Sequence, residues 1–344
     1  MPEQKPKAKK LPLQQQLIEE TKALAEQAMQ RLFGLAAGWE KRRDIVQNNY
    51  ELGCRHLSLG NISDAILRFK LVTWMEPRHA DGWYQLGCAY VAGGKPDLAK
   101  TSLQKALQLK PDNEEAIYML AIASGASTPA GQLPKKMPLS LASQYFDRLA
   151  AGFTQEQLET YQYRGHTLLT QAIRACLVPG RIDHAIVELG VGTGLCGPLM
   201  RDVAAQLTGV DLSGPMLAEA MKLQDGQGKK IYDALIKREI QEFLHDAAPQ
   251  SYDIVMAAGV FSYIGDLAAI YQQAARVLKQ GGIFAFTADK MDGQDFRLDP
   301  EAGRFRFSKA YLEAQAAANG LKAITCEEAP VYPDYKAWIC VFRR

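Results

Sequence analysis

The chain has 344 residues, 47% of them hydrophobic, with 40 basic against 38 acidic side chains. That length allows more than one domain, and that apolar fraction allows a packed core. The balanced charge argues against nucleic acid as an obligate partner, and no apolar run reaches the length of a membrane span.

The chain opens with MPEQKPKAKK, a lysine-bearing stretch that reads as a solvated tail. No apolar core follows it, so no signal peptide is expected. The six cysteines are scattered without a CxxC pair, and the five histidines do not cluster with them. This pattern predicts reduced thiols, no metal site and a cytoplasmic protein. Residues 12–36 read as a helix, and the tail and helix together form a unit over 1–45.

An internal repeat follows. YELGCRHLSLGNISDAILRFKLVTWMEP aligns without gaps with YQLGCAYVAGGKPDLAKTSLQKALQLKP, at a shift of 34 residues. Leu52, Gly53, Cys54, Gly60, Ala65 and Pro77 match Leu86, Gly87, Cys88, Gly94, Ala99 and Pro111. This pattern resembles the tetratricopeptide repeat, and Trp83, Leu86, Gly87, Tyr90, Ala99, Ala106 and Pro111 fall on that family's marked positions. The resemblance implies paired antiparallel helices over 46–124, the segment from Glu114 serving as a capping helix. Small residues would let paired helices approach, and the prolines would end each second helix. Two repeats bury little core, so they need neighbours. Tyr50, Tyr84 and Tyr118 recur at one repeat position that, by resemblance, lines the concave face. They predict either an aromatic groove for a protein partner or packing against another part of the same chain.

Residues 125–138, rich in Ser, Gly and Pro, read as a linker. Beyond them an aromatic-bearing helical region leads into alternating strands and helices over 139–344. DHAIVELG, LTGVD, DALIKREI, YDIVMAAG and GGIFAFTAD read as strands, and LCGPLMRDVAAQ, GPMLAEAMKLQ, DLAAIYQQAARVL and SKAYLEAQAAANG as helices. LKAITCEEA and KAWICVFRR are two closing strands with no helix between them, which predicts an antiparallel edge. The alternation predicts an α/β fold with a mostly parallel sheet covered on both faces.

In such sheets ligands bind beyond the carboxyl ends of the strands, where VELGVGTGLCG places a glycine turn. No Lys-Ser/Thr pair follows the glycines, so a nucleoside triphosphate is disfavoured. A dinucleotide turn needs GxGxxG, but the third glycine here comes one residue early, at Gly194, with Leu195 in its place. Preceded by Glu188, the spacing Gly190, Gly192, Gly194 resembles the first motif of class I S-adenosylmethionine-dependent methyltransferases. DLSGPML supplies Asp211, 21 residues after Gly190, with Leu212 and Met216 behind it. KREIQEFL resembles that family's third-strand segment, YDIV its fourth strand and VLKQGG the turn before its fifth. The combination resembles bacterial methyltransferases that carry N-terminal tetratricopeptide repeats.

The resemblance implies a Rossmann-like, seven-stranded sheet whose last strand is antiparallel, and S-adenosylmethionine as cofactor. It implies that Asp211 accepts hydrogen bonds from the ribose hydroxyls, that Glu239 reaches the adenine amino group and that Ile240 lies beside the ring. The chain departs from the pattern at two places. AAGVF puts Gly259 where AADVF is common, and GRFRFS puts Phe307 where a histidine is common. Neither [DN]PP[YF] nor a Pro-Cys pair is present, which disfavours amide, adenine or cytosine-carbon acceptors.

An acceptor pocket is expected between Tyr145, Phe146, Phe153 and Tyr161 on one side and Phe261, Tyr263 and the 291–308 loop on the other. Tyr145 and Tyr263 are the candidate catalytic residues. His166 and Arg304 are alternatives as base and anion binder, Asp266 is expected to cap a helix, and Cys196 to be a buried packer. A scaffold that keeps the fold without methyl transfer, and a nicotinamide dehydrogenase, are the rival readings.

Overall fold

A computed structural model of the protein describes residues 39–125 and 133–344. The basic tail, the 12–36 helix and the middle of the 125–138 linker lie outside the described residues.

Among the described residues five helices come first: Trp39–Ser58, Ile62–Met75, Ala80–Ala92, Pro96–Leu109 and Glu114–Ser124. Their packing repeats with the sequence. A Cβ on Gly53 would stand 2.6 Å from the Phe69 ring, and one on Gly87 would stand 2.5 Å from Leu103, the equivalent pair one repeat later. Ala65 and Ala99 are fully buried at the same crossing points. The Asn113 side chain caps the fifth helix by accepting from the Ala116 N–H at 2.8 Å.

The recurring tyrosines part company. Tyr50 stacks on His79, with ring centroids 5.2 Å apart, and both it and Tyr84 are half-buried. Tyr118 is fully buried, and its hydroxyl donates to the Gly303 carbonyl at 2.8 Å. The fifth helix thereby packs on the second half of the molecule, where Tyr118 and Ala121 join its core.

That half is built on strands β1 (His184–Leu189), β2 (Ala204–Asp211), β3 (Ala234–Lys237), β4 (Tyr252–Ala257) and β5 (Leu278–Asp289). A hairpin of β6 (Phe296–Asp299) and β7 (Arg304–Phe307) follows, then β8 (Lys322–Tyr332) and β9 (Tyr335–Arg343). Seven strands form one sheet in the order β3-β2-β1-β4-β5-β9-β8, and β9 alone runs antiparallel to its neighbours. This is the Rossmann-like sheet with an antiparallel last strand. Apolar side chains cover both faces: Phe284, Phe286 and Phe342 on one, Ile186, Met256 and Ile339 on the other. Strand order reverses between β1 and β4, the place where ligands enter such sheets.

Three expectations need correction. The helix expected across 195–206 is only Gly197–Met200 plus one 3₁₀ turn, and Ala204–Gln206 already belong to β2. Ala and Gln favour helix locally, but pairing along β1 overrides that preference. Arg201 closes the short turn by donating to the Ile231 carbonyl at 3.1 Å and to Asp233 at 2.6 Å. The 291–308 loop contains the β6–β7 hairpin, whose Phe305 and Phe307 point inward while Arg304 and Arg306 stay partly exposed. Finally, Cys326 and Cys340 are not separate thiols. They face each other across β8 and β9 and are paired as a disulfide, because hairpin register brings together two residues 14 apart. The other four cysteines are free.

Candidate functional site

The cleft lies beyond the carboxyl ends of β1, β2 and β4. Leu189 ends β1, and Gly190 and Gly192 take φ of +64° and +54°, a region open to glycine at little cost. A Cβ on Gly190 would stand 2.4 Å from Val260, so no side chain fits there. A Cβ on Gly192 would meet nothing within 4 Å: the turn presents bare backbone to open space.

Asp211, at the end of β2, faces that backbone. Its Oδ2 accepts from the Gly192 N–H at 2.7 Å, and its Oδ1 accepts from the Ser213 N–H at 2.8 Å. Burial raises its carboxyl, and the backbone donors Ser213, Gly192 and Leu212 hold the rise back. Each oxygen keeps acceptor capacity for a further donor. Ser213 caps the Gly214–Ala220 helix through the Met216 N–H at 3.2 Å and donates to Asp147 at 2.5 Å, which ties the turn to the Leu139–Leu149 helix.

Glu188 lies beneath the glycine turn and is almost fully buried. Burial pushes its carboxyl up to about 7, against the pull of the Tyr232 hydroxyl that donates to it at 2.7 Å. Glu239 caps the Ile240–Asp246 helix by accepting from the Glu242 N–H at 2.9 Å, and its other oxygen lies 3.9 Å from Lys136. Leu212, Met216 and Ile240 supply apolar wall. Of the predicted cofactor residues, Glu188, Gly190, Gly192, Asp211, Leu212, Met216, Glu239 and Ile240 line this one cleft. Gly194 does not. It turns beneath, where a Cβ would stand 2.7 Å from Leu223.

The same cleft continues past Tyr145, Phe146, Phe153 and Tyr263. The Tyr145 and Tyr263 rings lie 6.2 Å apart. Two predicted wall residues are elsewhere. Tyr161 is exposed, its hydroxyl on Glu156 at 3.0 Å. Phe261 is fully buried against Phe286, with centroids 4.9 Å apart. Solvent claims the one and core packing the other. Of the 291–308 segment only Arg304 reaches the cleft, with its guanidinium 5.8 Å over the Tyr263 ring.

Sequence reasoning missed Tyr163, Thr287, Asp289 and Tyr332, which also line it. Thr287 and Asp289 sit at the carboxyl end of β5, and that position was the available signal. Tyr163 and His166 lie together, rings 5.6 Å apart. The Tyr163 hydroxyl is buried beside Thr287; His166 Nδ1 is buried without a hydrogen-bond partner, and burial lowers the imidazole. Asp266 accepts from the Ala268 N–H at 3.1 Å, as a helix start requires. Cys196 is buried beside Glu188, and burial raises its thiol.

The two departures have local explanations. Gly259 has φ +72° and donates its N–H to Thr287 Oγ1 at 2.7 Å, so this backbone favours glycine. Phe307 is fully buried, and its carbonyl accepts from the Trp338 indole at 2.9 Å.

A family model described as a methyltransferase domain matches residues 187–286, and a tetratricopeptide repeat model matches residues 80–113. Among curated proteins, the chain is 29% identical over 142 residues to the malonyl-[acyl-carrier protein] O-methyltransferase of Salmonella typhimurium, covering 41% of this chain and 51% of that one. It is 32% identical over 108 residues to the ubiquinone biosynthesis O-methyltransferase of Idiomarina loihiensis, covering 31% and 43%. It is also 31% identical over 77 residues to the peroxisomal targeting signal receptor of Kluyveromyces lactis, covering 22% and 14%. The chain thus spans about half the length, or less, of these relatives. Among solved structures, a magnesium protoporphyrin IX methyltransferase from Synechocystis with bound S-adenosylmethionine is similar with a TM-score of 0.46 at 13% identity, covering 60% of this chain and 96% of that one.

Proposed function

We propose that this chain, which carries a methyltransferase domain behind a tetratricopeptide repeat, takes its methyl group from S-adenosylmethionine. The observation that carries the reading is the pairing of Asp211 with the open backbone of Gly192 across the mouth of the sheet. A carboxylate with spare acceptor capacity beside a turn free of side chains fits a ribose diol. On this reading Asp211 holds the ribose, and Gly190 and Gly192 let backbone approach the methionine part beside Glu188. Glu239 accepts from the adenine amino group, while Leu212, Met216 and Ile240 sandwich the base. When bound, the cofactor supplies a methyl group already activated by its sulfonium, so orientation carries much of the acceleration.

The remaining chemistry belongs to the acceptor wall. Tyr145 and Tyr263 orient the acceptor, and His166, kept neutral by burial, is placed to take a proton where the acceptor carries one. We assign residues 46–124 to a repeat module that binds a protein partner or shapes access to the cleft, and 139–344 to the catalytic unit. The Tyr118–Gly303 bond supports the second of those roles.

Calorimetric titration with S-adenosylmethionine, S-adenosylhomocysteine and NAD in parallel tests the reading. Micromolar binding of the first two, lost in Asp211→Ala, is the expected result. A well-folded protein that binds neither adenosyl ligand would sink it and leave a scaffold as the better account. Binding of NAD alone would point to a dehydrogenase.

A further inference from the structure

Among the described residues, Arg304 is the arginine that the cleft leaves without a charged partner. Other arginines withdrawn from solvent donate to fixed acceptors. Arg201 holds Asp233 at 2.6 Å, and Arg276 holds the Leu244 carbonyl at 2.6 Å. Arg304 is partly buried, yet among the described residues no carboxylate lies within ion-pair distance of it, and the side-chain partner it has is the Tyr332 hydroxyl. What surrounds it is aromatic: it lies over the Tyr263 ring, with Tyr145 and Tyr332 acting on its charge. Burial raises the Tyr263 and Tyr332 hydroxyls, so these phenols are neutral and offer no counter-charge. Asp289 also acts on the guanidinium, but from beyond ion-pair distance, and burial raises its own carboxyl. A charge taken partly out of water is costly unless something pairs with it. A planar guanidinium stacked on an aromatic ring, its donors facing a cleft, is suited to a bidentate carboxylate or phosphate.

We propose that the methyl acceptor is a small anion, and that Arg304 holds its carboxylate or phosphate group against the wall formed by Tyr145, Tyr263 and Tyr332. The inference rests on the methyltransferase reading above and adds the substrate class to it. A second polar atom lies along the same wall. His166 Nδ1 is buried in the cleft without a partner, beside the Tyr163 ring, which lies 5.1 Å from that of Tyr332. On this proposal that nitrogen is open to a further polar group of the acceptor. Arg304 is therefore a specificity-determining residue and stands apart from the cofactor half of the cleft.

The test is calorimetric titration of the full chain, saturated with S-adenosylhomocysteine, using benzoate, phenyl phosphate and neutral benzamide. At least one anion is expected to bind about tenfold tighter than benzamide, and comparison of the two anions distinguishes carboxylate from phosphate. Arg304→Gln should erase that preference while S-adenosylhomocysteine affinity stays within about twofold, which also shows that the variant is folded. Arg304→Lys should keep part of it. Benzamide binding as well as both anions, binding of neither anion, or a preference that survives Arg304→Gln would overturn the proposal. Failure of the parent to bind S-adenosylhomocysteine would sink the cofactor reading and with it the anion's role as methyl acceptor, while the same titrations on the ligand-free chain would still decide separately whether Arg304 forms an anion site.

Discussion

The two ends of the sheet treat charge in opposite ways. At the amino ends, Asp253 accepts from Lys279 at 2.7 Å, Arg181 at 3.0 Å and the Ala185 N–H at 2.9 Å. Asp233 is held in the same manner by Arg201 and the Leu207 N–H. Burial pushes both carboxyls up, but these bonds outweigh it and leave them below the ordinary range. At the carboxyl ends, Glu188, Asp211 and Asp289 are raised by burial, and no cation lies within ion-pair distance of them among the described residues. Paired charges tie strands together. Unpaired ones weaken the free protein and stay available to a ligand.

That contrast can be broken most sharply at Asp211. Asp211→Ala is expected to lower S-adenosylmethionine affinity about 100-fold, the loss of two charge-assisted hydrogen bonds, measured by calorimetry. Its thermal midpoint should fall less than that of Asp253→Ala. The latter strands Arg181 and Lys279, which are themselves partly exposed. It should cost roughly 2 kcal/mol in denaturant titration, below the full value for a buried pair, with cofactor affinity unchanged. Because the native Asp253 carboxyl is depressed, its contribution is complete above the unfolded value near 3.9 and is lost as pH falls through the native one.

Glu188 should behave in the opposite sense. Its native carboxyl is raised to about 7, so native protein holds a proton that the unfolded chain, titrating near 4.3, releases. Stability therefore falls as pH rises between those values. Glu188→Gln should flatten the slope, leaving the variant more stable than the parent at pH 8, about one unit above the native value, and similar in acid. Parallel slopes in chemical denaturation would refute the assignment. The smallest effect is expected at Gly192, where Gly192→Ala places a side chain at positive φ for about 1 kcal/mol of stability. Its diagnostic is weaker cofactor binding, since a Cβ there meets only open space that a ligand would fill.

Most of the fold was legible because local patterns and tertiary packing agree. The repeat period of 34 residues shows directly in the Gly53–Phe69 and Gly87–Leu103 contacts. The glycine turn and Asp211 were visible for a similar reason: a strand that ends in glycine, followed by a strand that ends in an acid, needs no distant partner to be recognised. What was missed depends on distant pairing. Ala204–Gln206 read as helix until β1 is laid beside them. Tyr163, Thr287 and Tyr332 meet only after β5 and β8 are placed. The RFRF alternation of β7 was the overlooked signal for the hairpin, and it carries Arg304 on the face opposite Phe305 and Phe307.

The Tyr118 hydroxyl grips the carbonyl of Gly303, and Arg304 is the next residue in the chain. Severing the helical repeats from the sheet would therefore not yield a clean half-enzyme. It would leave an orphaned carbonyl at the hairpin turn, uncover apolar surface around Ala121, and loosen the strand on which the arginine rides. Anyone wishing to exchange the repeats for another recognition module should carry the Glu114–Ser124 helix along with the catalytic half and splice ahead of Asn113.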